Sequence, residues 1–396
     1  MTDSTPPAES VRGERHASWL ELFFDLTAVA GVAQLAHLLH GGPGWDDLGL
    51  YTVMFLAFWT GWMLFTVYGN VTGDEARVRT VLTGMFGLAV MAAAVHGVRG
   101  DRATAFALAY ILVRSLAGKA WGRRGVYVAG LPLTQVGLGL APWIVSLWCE
   151  GPLRFELWAL GLAIDLVVMF SVSDGKLTAR VEAGYEEEAA RRHRPVSRPV
   201  AVRMDAPHLG ERLGLFVLIV LGEAIAQTVS AASEAEWDWP LYGVGTGAFV
   251  LLLQLWSMSL RNGAFGVPLL AVDALPVRLV LPLHCFTAGS VAALAAALGD
   301  SVADAEGAVP DAVRWLLCGS LALYLLIAGV AALCSGRGAG RSLLLVGPAL
   351  AVVAALGAAA GGWRPAGLVW LLVLALRWPL LVERARPSRA AAGAPS

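Results

Sequence analysis

From Trp19 almost to the C-terminus, apolar stretches alternate with short polar breaks. Each runs about 18 to 25 residues, the helix length that crosses roughly 30 Å of hydrocarbon at about 1.5 Å per residue. Twelve such stretches lie near 19–40, 48–69, 79–98, 103–120, 126–148, 153–172, 209–232, 240–260, 277–298, 312–334, 341–361 and 364–382. The pattern predicts an all-α fold, a polytopic transmembrane bundle of about twelve helices. The fourth stretch is the weakest because it carries Arg114 and Lys119; a re-entrant course there would change the topology that follows. One long hydrophilic segment, 173–208, separates two six-helix halves at 19–172 and 209–382, with polar tails at 1–18 and 383–396. Its run of Glu186 to Glu188 followed by Arg191, Arg192 and Arg194 suits a short surface helix. A solvated linker is the plain reading of that segment, and a site for anionic lipid the sharper one.

Composition agrees with the pattern. The chain has 396 residues, of which 57% are hydrophobic and 15% charged, and its mean hydropathy is +0.65, which excludes an ordinary soluble enzyme. A formal net charge of -1 leaves no polycationic surface, so nucleic acid is excluded as a partner. Most of the 29 Lys and Arg fall on the side of the N-terminus, and Arg99, Arg102, Arg154, Arg314 and Arg364 fall on the other. By the positive-inside rule both termini are then cytosolic. Trp45, Trp148, Trp237, Trp239, Trp315 and Trp363 sit at the predicted outer ends, where amphipathic rings favour the interface. Residues 1–18 lack the apolar core of a signal peptide and read as a cytosolic tail. Cys149, Cys285, Cys318 and Cys334 form no C-x-x-C pair and read as buried packing residues.

The two halves show weak self-similarity. His16 and Glu21 open crossing one, which later reads Ala33-Gln34; His208 and Glu211 open crossing seven, which later reads Ala226-Gln227. No single gapless register fits all three pairs, yet the order suggests a six-plus-six parallel repeat, an arrangement that places transporter sites at the repeat interface.

Ionisable residues within apolar helices are costly and need a partner, a wet cavity or a proton. Glu21 and Asp25 are four apart, hence on one face of crossing one, and two carboxyls so close are expected to share a proton. Asp165 lies in crossing six, and Glu223 lies near the middle of crossing seven with Gln227 one turn on. Candidate basic partners are Arg114, Arg377 and Arg212 beside Glu211, and Gln34, Gln254 and buried histidines His37, His96 and His284 complete the polar set. Three readings compete: ion pairs that only lock helices together, a proton- or ion-coupled pathway, and an acid catalyst in a dry intramembrane pocket, with Glu223, Asp165 and Asp25 as the candidates. The histidines show no H-x-x-x-H or H-E-x-x-H spacing, so no metal is expected. No phosphate-binding loop, dinucleotide fingerprint or nucleophile elbow appears, so no cofactor is expected and ATP hydrolysis is excluded.

Trp19-Leu-Glu-Leu-Phe-Phe-Asp-Leu26, continuing to Gln34-Leu-Ala-His37, resembles the opening signature of the bacterial low-temperature-requirement A family. His208-Leu-Gly-Glu211-Arg-Leu-Gly-Leu-Phe-Val-Leu-Ile-Val-Leu-Gly222-Glu223 resembles its second signature, and Phe106 to Arg114 and Leu157 to Asp165 are similar more weakly. The resemblance implies a polytopic protein of the bacterial cytoplasmic (inner) membrane, linked by family name to growth in the cold, with no established reaction or substrate. The signature residues fall on Glu21, Asp25, His208, Glu211, Arg212 and Glu223. The chain departs from the family pattern at Tyr68 to Asp74 and at Gln254 to Arg261, and crossings nine to twelve show little similarity.

Together these observations lead to a transporter-like protein whose midplane site is lined by crossings one, four, six and seven. The expected binding residues are Glu21, Asp25, Gln34, Arg114, Asp165, His208, Glu211, Arg212, Glu223 and Gln227. Glu223 and Asp165 would bind a proton or cation, Arg114 would balance charge, and Glu21 with Asp25 would form the inner gate. An intramembrane enzyme acting on a lipid or isoprenoid-like substrate, and a non-catalytic stress-adaptation protein, are the alternatives. The expected partners are the bilayer and a small-molecule or lipid ligand, with oligomer formation left open.

Overall fold

A computed structural model describes residues 16–73, 76–122, 126–129, 131–134, 137–172, 174–192, 200–261, 275–359 and 361–384. Most of the 1–18 tail, part of the 173–208 linker including Arg194, and nearly all of the 383–396 tail lie outside the described residues. Before the linker the chain forms α1 (Trp19–Ala36), α2 (Trp45–Thr72), α3 (Val78–Ala94), α4 (Ala103–Gly122), a short α5 (Leu140–Val145) and α6 (Pro152–Ser171). The linker carries α7 (Asp174–Arg192), and the second half carries α8 (Ala206–Glu234), α9 (Trp239–Trp256), α10 (Val277–Ala303), α11 (Asp311–Cys334), α12 (Ala339–Ala358) and α13 (Pro365–Arg384). Ten of the described helices are long and apolar enough to cross a membrane. The protein is a nearly all-α polytopic bundle.

The expected twelve helical crossings need two corrections. Crossing four is a continuous helix, α4, despite Arg114. Crossing five is not a helix: 126–148 contains strand β1 (Val126–Val128), a 3-10 turn at Pro132–Thr134, the six-residue α5 and another 3-10 turn at Ser146–Trp148. Pro132, Gly137, Gly139 and Pro142 interrupt the helical ladder throughout this stretch. Its described parts are anchored to neighbouring elements. β1 pairs in parallel with β2 (Val200–Val202), just before α8, while Trp143 stacks on Trp158 near the start of α6. Irregular backbone at membrane depth is tolerated where protein buries it, and Leu131, Leu133 and Trp143 are all buried. The other correction concerns α6, a helix of spanning length whose Arg154, Glu156 and Asp165 set it apart from the ten, and which is followed by α7 at a bend of 106°.

Helix packing follows the same scheme in each half. The contacts α1–α2, α1–α3, α3–α4, α4–α5, α5–α6 and α2–α6 recur as α8–α9, α8–α10, α10–α11, α11–α12, α12–α13 and α9–α13. The halves meet where α1 and α2 pack on α8 and α10. There Gly31 lets α1 approach the Phe58 ring, which already fills the space a Cβ would need. Phe24, Phe58, Trp62 and Phe216 are almost fully buried at this junction. The six tryptophans expected at one interface all flank elements at the bundle end opposite Glu21, and Trp45, Trp148, Trp237 and Trp239 are highly exposed there. Of the cysteines, Cys285 and Cys318 are buried as expected, but Cys149 is half-buried and Cys334 exposed.

Candidate functional site

The expected single site resolves into three polar clusters. The first joins α1 to α8 at their N-terminal ends. Ser18 caps α1: its hydroxyl accepts the Glu21 N–H at 3.3 Å, and its own N–H donates to Glu21 Oε2 at 2.8 Å. Glu21 Oε1 lies 3.2 Å from His208 Nε2 and 3.2 Å from Arg212 Nη1. One turn on, Arg212 clamps Asp25 through Nη2 to Oδ1 at 2.5 Å and Nε to Oδ2 at 3.1 Å, and the Trp62 indole N–H donates to Oδ1 at 2.7 Å. Asp25 is 0% and Arg212 1% exposed. Two i,i+4 pairs, 21/25 and 208/212, thus face each other across parallel helices. Arg212 therefore contacts both carboxylates, which the sequence placed on one face of the first crossing. Glu211 belongs to the rim, 35% exposed at its side chain and 3.6 Å from His16. A cavity of about 230 Å³ lined by Ser18, Glu21, Gly69 and Arg212 opens beside the cluster.

Sequence reasoning missed the residue that aligns α8. Asn70, at the end of α2, donates its amide to Asp205 O at 2.7 Å and accepts the Asp205 N–H at 2.9 Å. Asp205 in turn caps α8, accepting the His208 N–H at 3.2 Å. Asn70→Ala is expected to lower stability by about 1–3 kcal/mol through the unsatisfied backbone groups it leaves. Thermal unfolding in detergent reads the loss, and an unchanged melting point would show the clamp to be idle.

The second cluster lies about 18 Å further along the α1–α8 seam, counted from Asp25 to His37 at about 1.5 Å per residue. The His37 ring lies 5.3 Å from His40 and 5.9 Å from His96. His40 Nδ1 is 2.6 Å from Asp300 Oδ1, and Gly41 N–H donates to Asp300 Oδ2 at 2.9 Å. Glu223 is within electrostatic reach of His37 and accepts the Gln227 amide at 3.1 Å. The buried Gln227 Oε1 makes no hydrogen bond among the described residues, and Gln34 is half-buried three residues before His37. His37 and His96 are exposed, not buried as expected. His40 and Asp300 were not anticipated, although the i,i+3 spacing of His37 and His40 was a readable sign. Phe24, Ala28 and Val32 of α1 and Phe216, Val217 and Val220 of α8 fill the seam between the two clusters, all nearly or fully buried.

The third cluster is separate. Arg114 of α4 donates from Nη2 to Asp165 Oδ2 of α6 at 2.8 Å, both groups buried. Asp165 Oδ1 packs against the backbone of Gly139, where a Cβ would overlap it, without meeting hydrogen-bond geometry. Tyr110 Oη and Trp143 Nε1 are likewise buried without hydrogen bonds among the described residues. Thus Asp165 and Glu223 do not share a site, and Arg114 balances Asp165 alone. Of the remaining polar set, Arg377 is exposed on α13, and the Oε1 of buried Gln254 makes no hydrogen bond among the described residues. His284 is a satisfied core residue, with Nδ1 3.1 Å from the Trp59 indole nitrogen and Nε2 3.0 Å from Leu213 O. Among the described residues, no group of three His, Cys, Asp or Glu side chains is arranged to hold a metal ion.

A bundle in which ten described helices are long and apolar enough to cross a membrane is a multi-pass membrane protein. Residues 16–378 match the family described as bacterial low temperature requirement A protein (LtrA), and the chain belongs to that family. It is also similar to an uncharacterized protein of Rhizobium meliloti (strain 1021), 29% identical over 291 residues. That match covers 65% of this chain and 64% of the relative.

Proposed function

We propose that the protein is a proton-coupled, transporter-like protein of the bacterial cytoplasmic membrane, with both termini in the cytosol and a small-molecule or lipid substrate. The α1–α8 seam carries the proposal, with ionisable groups at each end and a dry apolar stretch between them. Carboxylates and histidines are the usual parts of proton relays. Glu223, with His37, His40 and Asp300, would exchange protons at the tryptophan-rich end; Glu21, Asp25, His208 and Arg212 would close the other end. Recurrence of the same helix contacts in both halves supports a parallel repeat whose halves rock about the α1–α8 junction. The distribution of Lys and Arg supports the orientation.

Acid catalysis on a lipid-like substrate is the second reading, favoured by Asp165 lying behind an apolar cleft. Against it, one oxygen of the Asp165 carboxylate is already held by Arg114.

Both readings are tested by metabolite profiling of cells and medium in a deletion strain and in strains rescued with wild type or with Glu223→Gln. The variant keeps the shape and hydrogen bonding of the side chain but carries no titratable proton. It is expected to accumulate and melt like wild type while leaving a compound misplaced between cell and medium. Full rescue by Glu223→Gln would sink the proton-coupled reading, and a precursor that accumulates while its product vanishes would point to catalysis.

A further inference from the structure

The cavity beside the first cluster combines a charged floor with apolar walls. Its volume of about 230 Å³ exceeds the roughly 10–15 Å³ that one water needs and falls short of the roughly 300–1,000 Å³ of drug-sized sites, so it suits a small molecule. Leu20 and Phe24 of α1, Phe65 of α2, Ala76, and Val78 and Val81 of α3 make its sides. The mouth lies at the end of the bundle where α1 and α3 begin, with Ser18 exposed and Val78 54% exposed. Arg77 and Arg79, the chain neighbours of Val78, are exposed and do not line the cavity.

Which charge faces this space decides what it attracts. The Glu21 side chain is 10% exposed, against 1% for Arg212 and 0% for Asp25 and His208. The cavity therefore meets a carboxylate first, with the guanidinium behind it. Arg212 is committed to Asp25 through both Nε and Nη2, whereas it meets the Glu21 carboxylate only through Nη1 at 3.2 Å. Of the two carboxylates, Glu21 is the one that Arg212 holds by a single contact and that a ligand can reach. Glu21, Asp25 and the rim residue Glu211 also outnumber Arg212 and His208, whether or not that imidazole is protonated.

We propose that the cavity binds a small organic cation, a short-chain primary amine in its ammonium form. The ammonium pairs with Glu21, and the hydrocarbon lies between Phe24, Phe65, Val78 and Val81. An anion would face Glu21 with the guanidinium out of reach. An inorganic cation would give up its hydration against apolar walls. A polyhydroxy ligand would find the Ser18 hydroxyl already donating to Glu21 Oε2 at 2.9 Å. Because Glu21 also ties α1 to α8 through His208 and Arg212, an ammonium there competes with those contacts and loosens the seam. Loosening of the seam and the cytosolic position of the mouth rest on the proton-coupled reading and its orientation; binding does not.

The test is equilibrium binding of radiolabelled n-butylammonium to the full chain in lipid nanodiscs, with empty nanodiscs subtracted and no ion gradient present. Unlabelled 1-butanol, butyrate and ammonium compete in turn, which separates the charge from the chain. Butylammonium is expected to saturate and to compete about tenfold better than 1-butanol, which lacks the charge, or ammonium, which lacks the chain. Butyrate should be weaker still. Glu21→Gln keeps the shape of the side chain and should bring butylammonium down to the level of 1-butanol. Val78→Trp, at the exposed mouth and outside the charged cluster, should remove most of the binding, and it serves should the Gln variant fail to fold. Thermal unfolding checks both variants. No saturable binding, equal competition by 1-butanol or butyrate, or full affinity in either folded variant would overturn the proposal. Saturable binding with this selectivity supports the site even where Glu223→Gln fully rescues the deletion strain, so the failure of proton coupling is separately visible.

Discussion

Arg212→Leu should destabilise the protein by about 3–5 kcal/mol, because it strands the fully buried carboxylate of Asp25. Asp25 is fully buried and takes two of its three described side-chain hydrogen bonds from Arg212; only the Trp62 indole N–H would stay. Glu21 loses one partner but keeps the Ser18 cap and His208. The Asp25→Leu single variant should be similarly damaging, leaving the guanidinium without its closest partner. Asp25→Leu combined with Arg212→Leu should recover much of the loss, since two well-packed apolar side chains can replace a buried pair at little cost. Thermal unfolding of all three variants forms a double-mutant cycle. Losses that simply add would mean that the two residues act independently, against the geometry of the α1–α8 seam.

A comparable loss, again about 3–5 kcal/mol, is expected for Asp165→Leu, which leaves Arg114 buried and unpaired on α4. Its location makes the consequence different. The first pair joins the two halves, whereas Arg114 and Asp165 pin α4 to α6 across the broken fifth crossing. Limited proteolysis is therefore expected to cut Asp165→Leu first within 126–148, while Arg212→Leu should expose the junction of α1 and α8. Identical cleavage patterns in the two variants would argue that the clusters do not brace separate parts of the bundle.

Sequence patterning identified eleven of the crossings as helices, because a helix in hydrocarbon must satisfy its own backbone and needs a long apolar run to do so. It misread 126–148 for the same reason: hydropathy records how apolar a segment is, not whether glycines and prolines let it form a ladder. Glu21, Asp25, His208 and Arg212 stood out singly because charge is rare in such helices. Their partnership was legible only as matching i,i+4 spacing on separate helices. Asn70, His40 and Asp300 were passed over because they sit at helix ends, where polar residues are ordinary.

Sequence alone determined that this chain is a membrane-embedded helical bundle of the LtrA family carrying a handful of costly charges. Hydrophobic period and length are local properties, and so is the expense of each charge. Tertiary structure alone decided which charge neutralises which, separating Asp165 from Glu223, setting Arg212 between two carboxylates and turning the fifth crossing into an irregular path. Those outcomes depend on which helix faces meet across nearly two hundred residues of chain, and pairing energies act through space, not along the sequence.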